Sequence, residues 1–220
     1  DGEYITNITS FDKASASKFI VFVTKNGLVK KTAITEYKTK TGRGSSAIKL
    51  REGDNLCKIL FLNDEDIGLL TARGQFMRFS TSDITPVGKI AMGVQGAKLN
   101  DGDEVIDAQV IDSSAREIVS LTSDGMISRT SLDELPKTNR NVKGTKLHKV
   151  ADGEKLVGFL PANDVMDVVA TTGSAAIRFS TREVALTSKG SLGVKALKLK
   201  EKEDFDYSDG LFTLVDVDFD

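Results

Sequence analysis

The chain has 220 residues, with 30 Lys and Arg against 32 Asp and Glu, one His, one Cys and no Trp. Apolar residues make up 40% of it, enough for a packed core, and no apolar run approaches the roughly 20 residues of a membrane-spanning helix. The single cysteine, Cys57, excludes an internal disulfide framework; with no signal peptide at the start, the expectation is a reducing compartment, the cytoplasm.

An internal repeat organises the chain. Thr24, Thr71, Thr122 and Thr171 each end an apolar run, at intervals of 47, 51 and 49 residues. A turn glycine follows each (Gly27, Gly74, Gly125, Gly173), then a base seven residues after the threonine (Lys31, Arg78, Arg129, Arg178), then a Lys-Leu pair (Lys49-Leu50, Lys98-Leu99, Lys146-Leu147, Lys198-Leu199).

In chain order, Glu3–Phe11 (EYITNITSF) reads as a half-repeat, so the chain begins in the middle of a unit. Four units follow at about 18–62, 66–111, 116–160 and 166–200. Each opens with a near-continuous apolar strand, such as Phe19–Thr24 or Ile118–Thr122, which predicts burial on both faces. A tight turn comes next; Asn26-Gly27 and Asp124-Gly125 are strong hairpin signals. Second strands return over Leu28–Thr32, Gln75–Ser80, Met126–Thr130 and Ala175–Ser180. A long loop leads to a third strand ending at Lys-Leu, and an acidic turn around Gly53, Gly102 or Gly153 leads to a closing strand (NLCKILFL, EVIDAQVI, KLVGFLPA). Helical turns are expected only near Ser82–Ile84 and Ser131–Leu135, with Ser as N-cap. Residues 201–220 form an acidic tail in which Leu211–Val217 is a candidate closing strand. Four short strands per repeat predict an all-β, propeller-like ring of about four repeats; a sandwich or barrel does not repeat in register.

Charge is distributed by position in the repeat. The net charge of -2 combines a body (1–200) of 29 bases and 24 acids with a tail of one base and eight acids. The four long loops (Lys38–Lys49, Val87–Lys98, Lys137–Lys146, Leu186–Lys198) hold 13 bases and no acid. The connectors Glu52–Asp66, Asp101–Glu117 and Asp152–Asp167 hold 15 acids against Lys58, Arg116 and Lys155. In a radial repeat equivalent loops share a rim, so a curved basic track is expected, with small residues that let main-chain N–H groups approach phosphates. The plainer alternative is that solvated loops carry charge without purpose.

The stretches TKNGLVKKTAITEY (Thr24–Tyr37), AIKLREGDNL (Ala47–Leu56), LLTARGQFMRFS (Leu69–Ser80) and GVQGAKLNDGDEVI (Gly93–Ile106) resemble the C-terminal domain of the A subunit of bacterial type II DNA topoisomerases, DNA gyrase and topoisomerase IV. The resemblance implies a β-pinwheel, a propeller-like ring whose neighbouring blades exchange strands. It also implies a non-catalytic module that binds and bends double-stranded DNA for an ATP-dependent strand-passing enzyme. Its partners would be the ATPase B subunit together with the rest of the A subunit. Gyrase A subunits carry a box close to Q-R-R-G-G-K-G; the corresponding Lys38–Gly44, KTKTGRG, keeps Gly42, Gly44 and three bases but lacks the Gln and the Arg-Arg-Gly run. Topoisomerase IV or a gyrase-like relative without the box, or a fragment cut after a box-bearing blade, fits this departure, and the half-repeat Glu3–Phe11 fits a cut or a ring closed by joining the chain ends.

The candidate DNA contacts are Lys38, Lys40, Arg43, Lys89, Arg140, Lys143 and Lys189, in the loops. Lys31, Arg78, Arg129 and Arg178 come second, because bases on strands can pair with the acidic turns instead. No catalytic group is expected: Tyr4, Tyr37 and Tyr207 lack the arginine neighbour of a topoisomerase nucleophile, and Tyr37, at a strand end, suits stacking or packing. His148 reads as a surface residue and Cys57 as core. Gly42-Arg43-Gly44-Ser45-Ser46-Ala47 matches a dinucleotide fingerprint but precedes a strand, not the required helix. The D-G-D turns lack the further carboxylates of a calcium loop. No cofactor, metal or membrane partner is expected. The functional alternative to DNA binding is a protein-interaction propeller.

Overall fold

The computed structural model describes residue 5 and residues 17–37, 44–163, 165–171 and 176–195. The half-repeat, most of the KTKTGRG stretch, Gly173, Lys198-Leu199 and the acidic tail lie outside the described residues. Within them the chain is all-β, with 3-10 turns but no α-helix. The first hairpin is β1 (Phe19–Thr24) with β2 (Leu28–Ala33), and β3 (Leu56–Leu62) closes that unit against β1. The second unit repeats this with β4 (Asp66–Thr71), β5 (Gln75–Ser80), the short β6 (Val94–Gln95) and β7 (Val105–Ile111). The third has β8 (Glu117–Thr122), β9 (Met126–Ser131), β10 (Thr145–Lys146) and β11 (Leu156–Ala162). The fourth has β12 (Asp167–Thr171), β13 (Ala176–Ser180) and β14 (Val194–Lys195).

The repeated threonine has a local cause. Its hydroxyl accepts the N–H four residues on, across the glycine turn: Leu28 N to Thr24 Oγ1 at 3.1 Å, Gln75 N to Thr71 Oγ1 at 3.1 Å and Met126 N to Thr122 Oγ1 at 2.9 Å. The acidic turns close over the same hairpin tips. Asp54 Oδ1 accepts from Asn26 N and Asn55 N, and Asp103 Oδ1 accepts from Arg73 N and Glu104 N. These carboxylates work as turn caps. Serine caps form: Ser80 Oγ, two residues before the expected Ser82, caps Thr81–Asp83, and Ser131 Oγ caps Leu132–Glu134 as expected.

The third strands differ from expectation in length and in partner. In the first unit Ala47–Leu50 forms no strand; in the other three the strand has two residues and pairs with the second strand of the unit before it: β6 with β2, β10 with β5, β14 with β9. The sheets therefore run β3-β1-β2-β6, β7-β4-β5-β10 and β11-β8-β9-β14, with β12-β13 as a pair. This is the strand exchange implied by the resemblance. Gly93, Gly144 and Gly193 make it possible, at φ of 92°, 78° and 72°. A Cβ there would meet Val29 O at 2.6 Å, Phe76 O at 2.4 Å or Ile127 O at 2.3 Å, so only a glycine lets the short strand come down on its neighbour.

That register corrects one anchor. Val94 opposes Val29 and Thr145 opposes Phe76, so Gly93 matches Gly144 and Lys98 matches Lys149, not Lys146. His148 then falls on the position of Ala97, and both are 0% exposed. The expectation of a surface histidine was wrong because Lys146-Leu147 imitates the repeat's Lys-Leu pair three residues too early. The His148 ring lies between Ser120 Oγ (3.0 Å from Nδ1) and Leu192 O (3.0 Å from Nε2). A carbonyl only accepts, so Nε2 carries the proton and Nδ1 accepts from Ser120. Burial holds the imidazole below its usual pKa; Lys146 adds to the lowering, while the Leu192 carbonyl and Asp124 oppose it.

The core lies between consecutive units. On β1, Val21 and Val23 pack toward the second unit, while Ile20 and Phe22 pack with Ile34 on the other face. On β4, Ile67 and Leu69 face the first unit and Leu70 the third. This alternation is why the first strands are apolar throughout. Cys57 is partly buried against the first of these clusters. The closing strands meet one another, and Asp107 ties three of them. It accepts from Lys58 Nζ at 3.1 Å on β3 and from Phe159 N at 3.1 Å on β11.

Two outcomes follow from these buried polar groups. Asp107→Ala leaves the Phe159 N–H unsatisfied and Lys58 unpaired, and denaturant unfolding should show a loss of about 2–3 kcal/mol. For His148, whose folded pKa lies below the unfolded value of about 6.5, stability is complete above that pH and falls as pH drops from there toward the folded pKa, by at most about 1.4 kcal/mol per pH unit. Urea midpoints measured across this window should fall for the wild type, and His148→Gln should lack that component of the slope.

Candidate nucleic-acid interface

The repeated bases on the second strands are part of the sheets. Lys31, Arg78, Arg129 and Arg178 lie opposite Val21, Gly68, Val119 and Val169, so their diagonal neighbours are Phe19, Asp66, Glu117 and Asp167. The three arginines pair there: Arg78 Nε with Asp66 Oδ2 at 3.0 Å, Arg129 Nε with Glu117 Oε2 at 3.4 Å and Arg178 Nη2 with Asp167 Oδ2 at 2.5 Å. The acid partner begins the same unit's first strand and is not in the glycine turn. Lys31 has an aromatic ring in place of the acid. Its ammonium lies 4.2 Å from the Phe19 centroid and donates to Thr81 O at 3.0 Å, and the residue is 4% exposed. Burial lowers its pKa, against the raising influence of Asp64. Lys137, at the start of its loop, joins the Arg78 pair through Asp66 Oδ1 at 2.7 Å.

The exchange register makes Lys89, Arg140 and Lys189 equivalent, each four residues before the strand-exchange glycine. Each reaches back to the 3-10 turn of the preceding unit. Arg140 donates from Nε to Asp83 O at 3.2 Å and from Nη1 to Gln95 O at 3.2 Å. Lys189 Nζ donates to Glu134 O at 3.2 Å, and Lys89 Nζ lies 5.5 Å from the Tyr37 ring centroid. Lys143 is exposed, with no ion pair among the described residues. The structure thus brings Lys89, Arg140 and Lys189 to corresponding places at successive units, while Lys38, Lys40 and Arg43 lie outside the described residues.

Lys30 was missed from sequence. It is 0% exposed, and its ammonium donates to Ala47 O at 2.6 Å, to Lys89 O and to Tyr37 Oη at 3.5 Å, tying the first basic loop to the second. Burial lowers its pKa. The available signal was the Lys30-Lys31 pair itself: successive strand residues point to opposite faces, so one of two lysines between buried sheets must point inward and find acceptors. Tyr37 ends a 3-10 turn (Ile34–Tyr37), not a strand. Its ring packs 5.8 Å from Phe22, its hydroxyl donates to Ala47 O at 2.9 Å, and burial, its largest influence, raises its pKa. Two open cavities of about 400 and 520 Å³ border Arg78, lined by acids including Asp66, Asp112 and Glu117. They are acid-rich ground between the second and third units.

Comparison with known proteins agrees with this architecture. The family described as DNA gyrase C-terminal domain, beta-propeller, matches residues 18–60, 66–112, 116–163 and 168–205. The DNA gyrase A subunit of Mycobacterium bovis is 32% identical over 205 residues, 90% of this chain and 24% of that protein. The Staphylococcus epidermidis protein of the same name is 31% identical over 198 residues, 88% of this chain and 22% of that protein. The chain thus spans about a quarter of the length of the curated relatives it matches. Among solved structures, the C-terminal domain of DNA topoisomerase IV superposes with a TM-score of 0.80 at 25% identity, covering 89% of this chain and 62% of that one. The DNA gyrase A C-terminal domain superposes at 0.77 with 20% identity, covering 87% and 65%, a likeness of fold. With four consecutive matches to the family and relatives above 30% identity over 90% of its length, this chain belongs to the DNA gyrase C-terminal domain family, the β-pinwheel of type II topoisomerase A subunits.

Proposed function

We propose that this domain binds double-stranded DNA without sequence preference and bends or wraps it. In the cytoplasm it would present the bent segment to the ATPase B subunit and the rest of the A subunit of a topoisomerase during ATP-dependent strand passage. The observation that carries this reading is the recurrence of a base, Lys89, Arg140 and Lys189, at one place in successive acid-free loops. A row of cations on a curved array neutralises successive phosphates and releases their counterions, which offsets the roughly 1–6 kcal/mol of bending a short duplex. Lys38, Lys40, Arg43 and Lys143 extend the row in this reading. Lys31, Arg78, Arg129 and Arg178 set the sheet geometry beneath it and contribute to the field more than to contact.

The test is binding to a linear random-sequence duplex titrated with salt, followed by topoisomer analysis on a relaxed closed circle. Four phosphate contacts, from Lys89, Arg140, Lys143 and Lys189, predict a log-log salt slope of about −3.6, steeper if the Lys38–Arg43 bases join. Trapped positive writhe would identify wrapping, and binding with unchanged writhe would identify bending alone. Absence of binding at low salt would overturn the reading and leave the protein-interaction propeller.

A further inference from the structure

The corrected register exposes a second row of bases. Lys49, Lys98 and Lys149 each stand four residues before the acidic-turn glycine (Gly53, Gly102, Gly153) and five after Gly44, Gly93 or Gly144. Each donates its backbone N–H to the loop of the next unit: Lys49 N to Ala91 O at 3.2 Å, Lys98 N to Val142 O at 2.9 Å and Lys149 N to Ser191 O at 2.8 Å. Those three acceptors are themselves equivalent, two residues before Gly93, Gly144 and Gly193. The main chain of each lysine is therefore fixed at a seam between two units.

The side chains behave differently from the backbone. All three residues are exposed, and none forms an ion pair among the described residues. Their neighbours on the rim are already engaged. Lys146 Nζ donates to Arg73 O at 2.5 Å, Arg140 holds two carbonyls and Lys189 holds one. A base that already donates to protein carbonyls must give up those bonds, or share them, to meet a phosphate. An unpartnered ammonium on a four-carbon stem gives up only water.

We infer that Lys49, Lys98 and Lys149 are further phosphate contacts of the DNA path, one at each seam, which meet a phosphate at lower cost than the engaged loop bases Arg140 and Lys189. This rests on the DNA-binding reading above. The seam position gives the row its function: because two units set each lysine, its spacing follows the curvature of the ring, and the lysines track a bent duplex.

The test is the salt slope of duplex binding for the triple variant Lys49→Gln/Lys98→Gln/Lys149→Gln, for each single variant, and for Lys155→Gln on the acidic connector. Thermal melts check that each variant is folded. The triple variant should lose about 2.7 from the magnitude of the slope, each single about 0.9, and Lys155→Gln nothing. A wild type that binds while the triple variant keeps its full slope would overturn this inference and leave the DNA-binding reading standing. A wild type that fails to bind at low salt would overturn the DNA-binding reading, and this inference with it.

Discussion

The second strand of each hairpin has an open edge, and the structure depends on how that edge is filled. A hairpin alone would leave a row of N–H and C=O groups ready to pair with any other chain. Here the next unit supplies two residues, β6, β10 or β14, to the strand before it. The pairing is short because the glycine that precedes it sits almost on the neighbour's carbonyl, and the chain turns away at once. The short strand pairs part of that edge and sews each unit to its predecessor. A unit without its neighbour would lack an edge strand and one wall of its core.

Two kinds of base follow from that arrangement. Those inside the sheets are matched with acids at the start of the adjacent strand, or with Phe19 where the first unit has no acid. In the loops, Arg140 and Lys189 reach the last carbonyl of a preceding 3-10 turn, where a cation is favourably placed. Only bases at positions without such an acceptor keep a free ammonium. Sorting the positive charges by what they already hold therefore separates those that tie units together from those whose ammonium holds no protein group among the described residues.

The buried polar groups do similar work at single sites. Lys30, Asp107 and His148 each replace an apolar or neutral residue of another unit: Met77 and Ser128 stand where Lys30 does, Gly158 where Asp107 does and Ala97 where His148 does. Each takes at least one partner from a different unit. Such groups are costly when unpaired, so each favours one arrangement of its neighbours over others that would leave it without partners. They distinguish units that the repeat alone would leave interchangeable.

By itself the sequence determined the all-β class, the four-fold repeat, the hairpins, the apolar first strands and the separation of basic loops from acidic connectors. These are local properties: a threonine and a glycine make the turn, and continuous apolar runs have no other home than between two packed surfaces. Tertiary structure alone decided which sheet each short strand joins, because two residues carry too little pattern to name a partner, and the partner is a unit away. It also decided the register of the third unit, where Lys146-Leu147 imitates an anchor that pairing assigns to Lys149-Val150. With the register came the burial of His148, the inward turn of Lys30 and the division of the bases into engaged and free. Each depends on the distance of a side chain to a carbonyl or carboxylate from another unit, and such distances exist only once the units have packed.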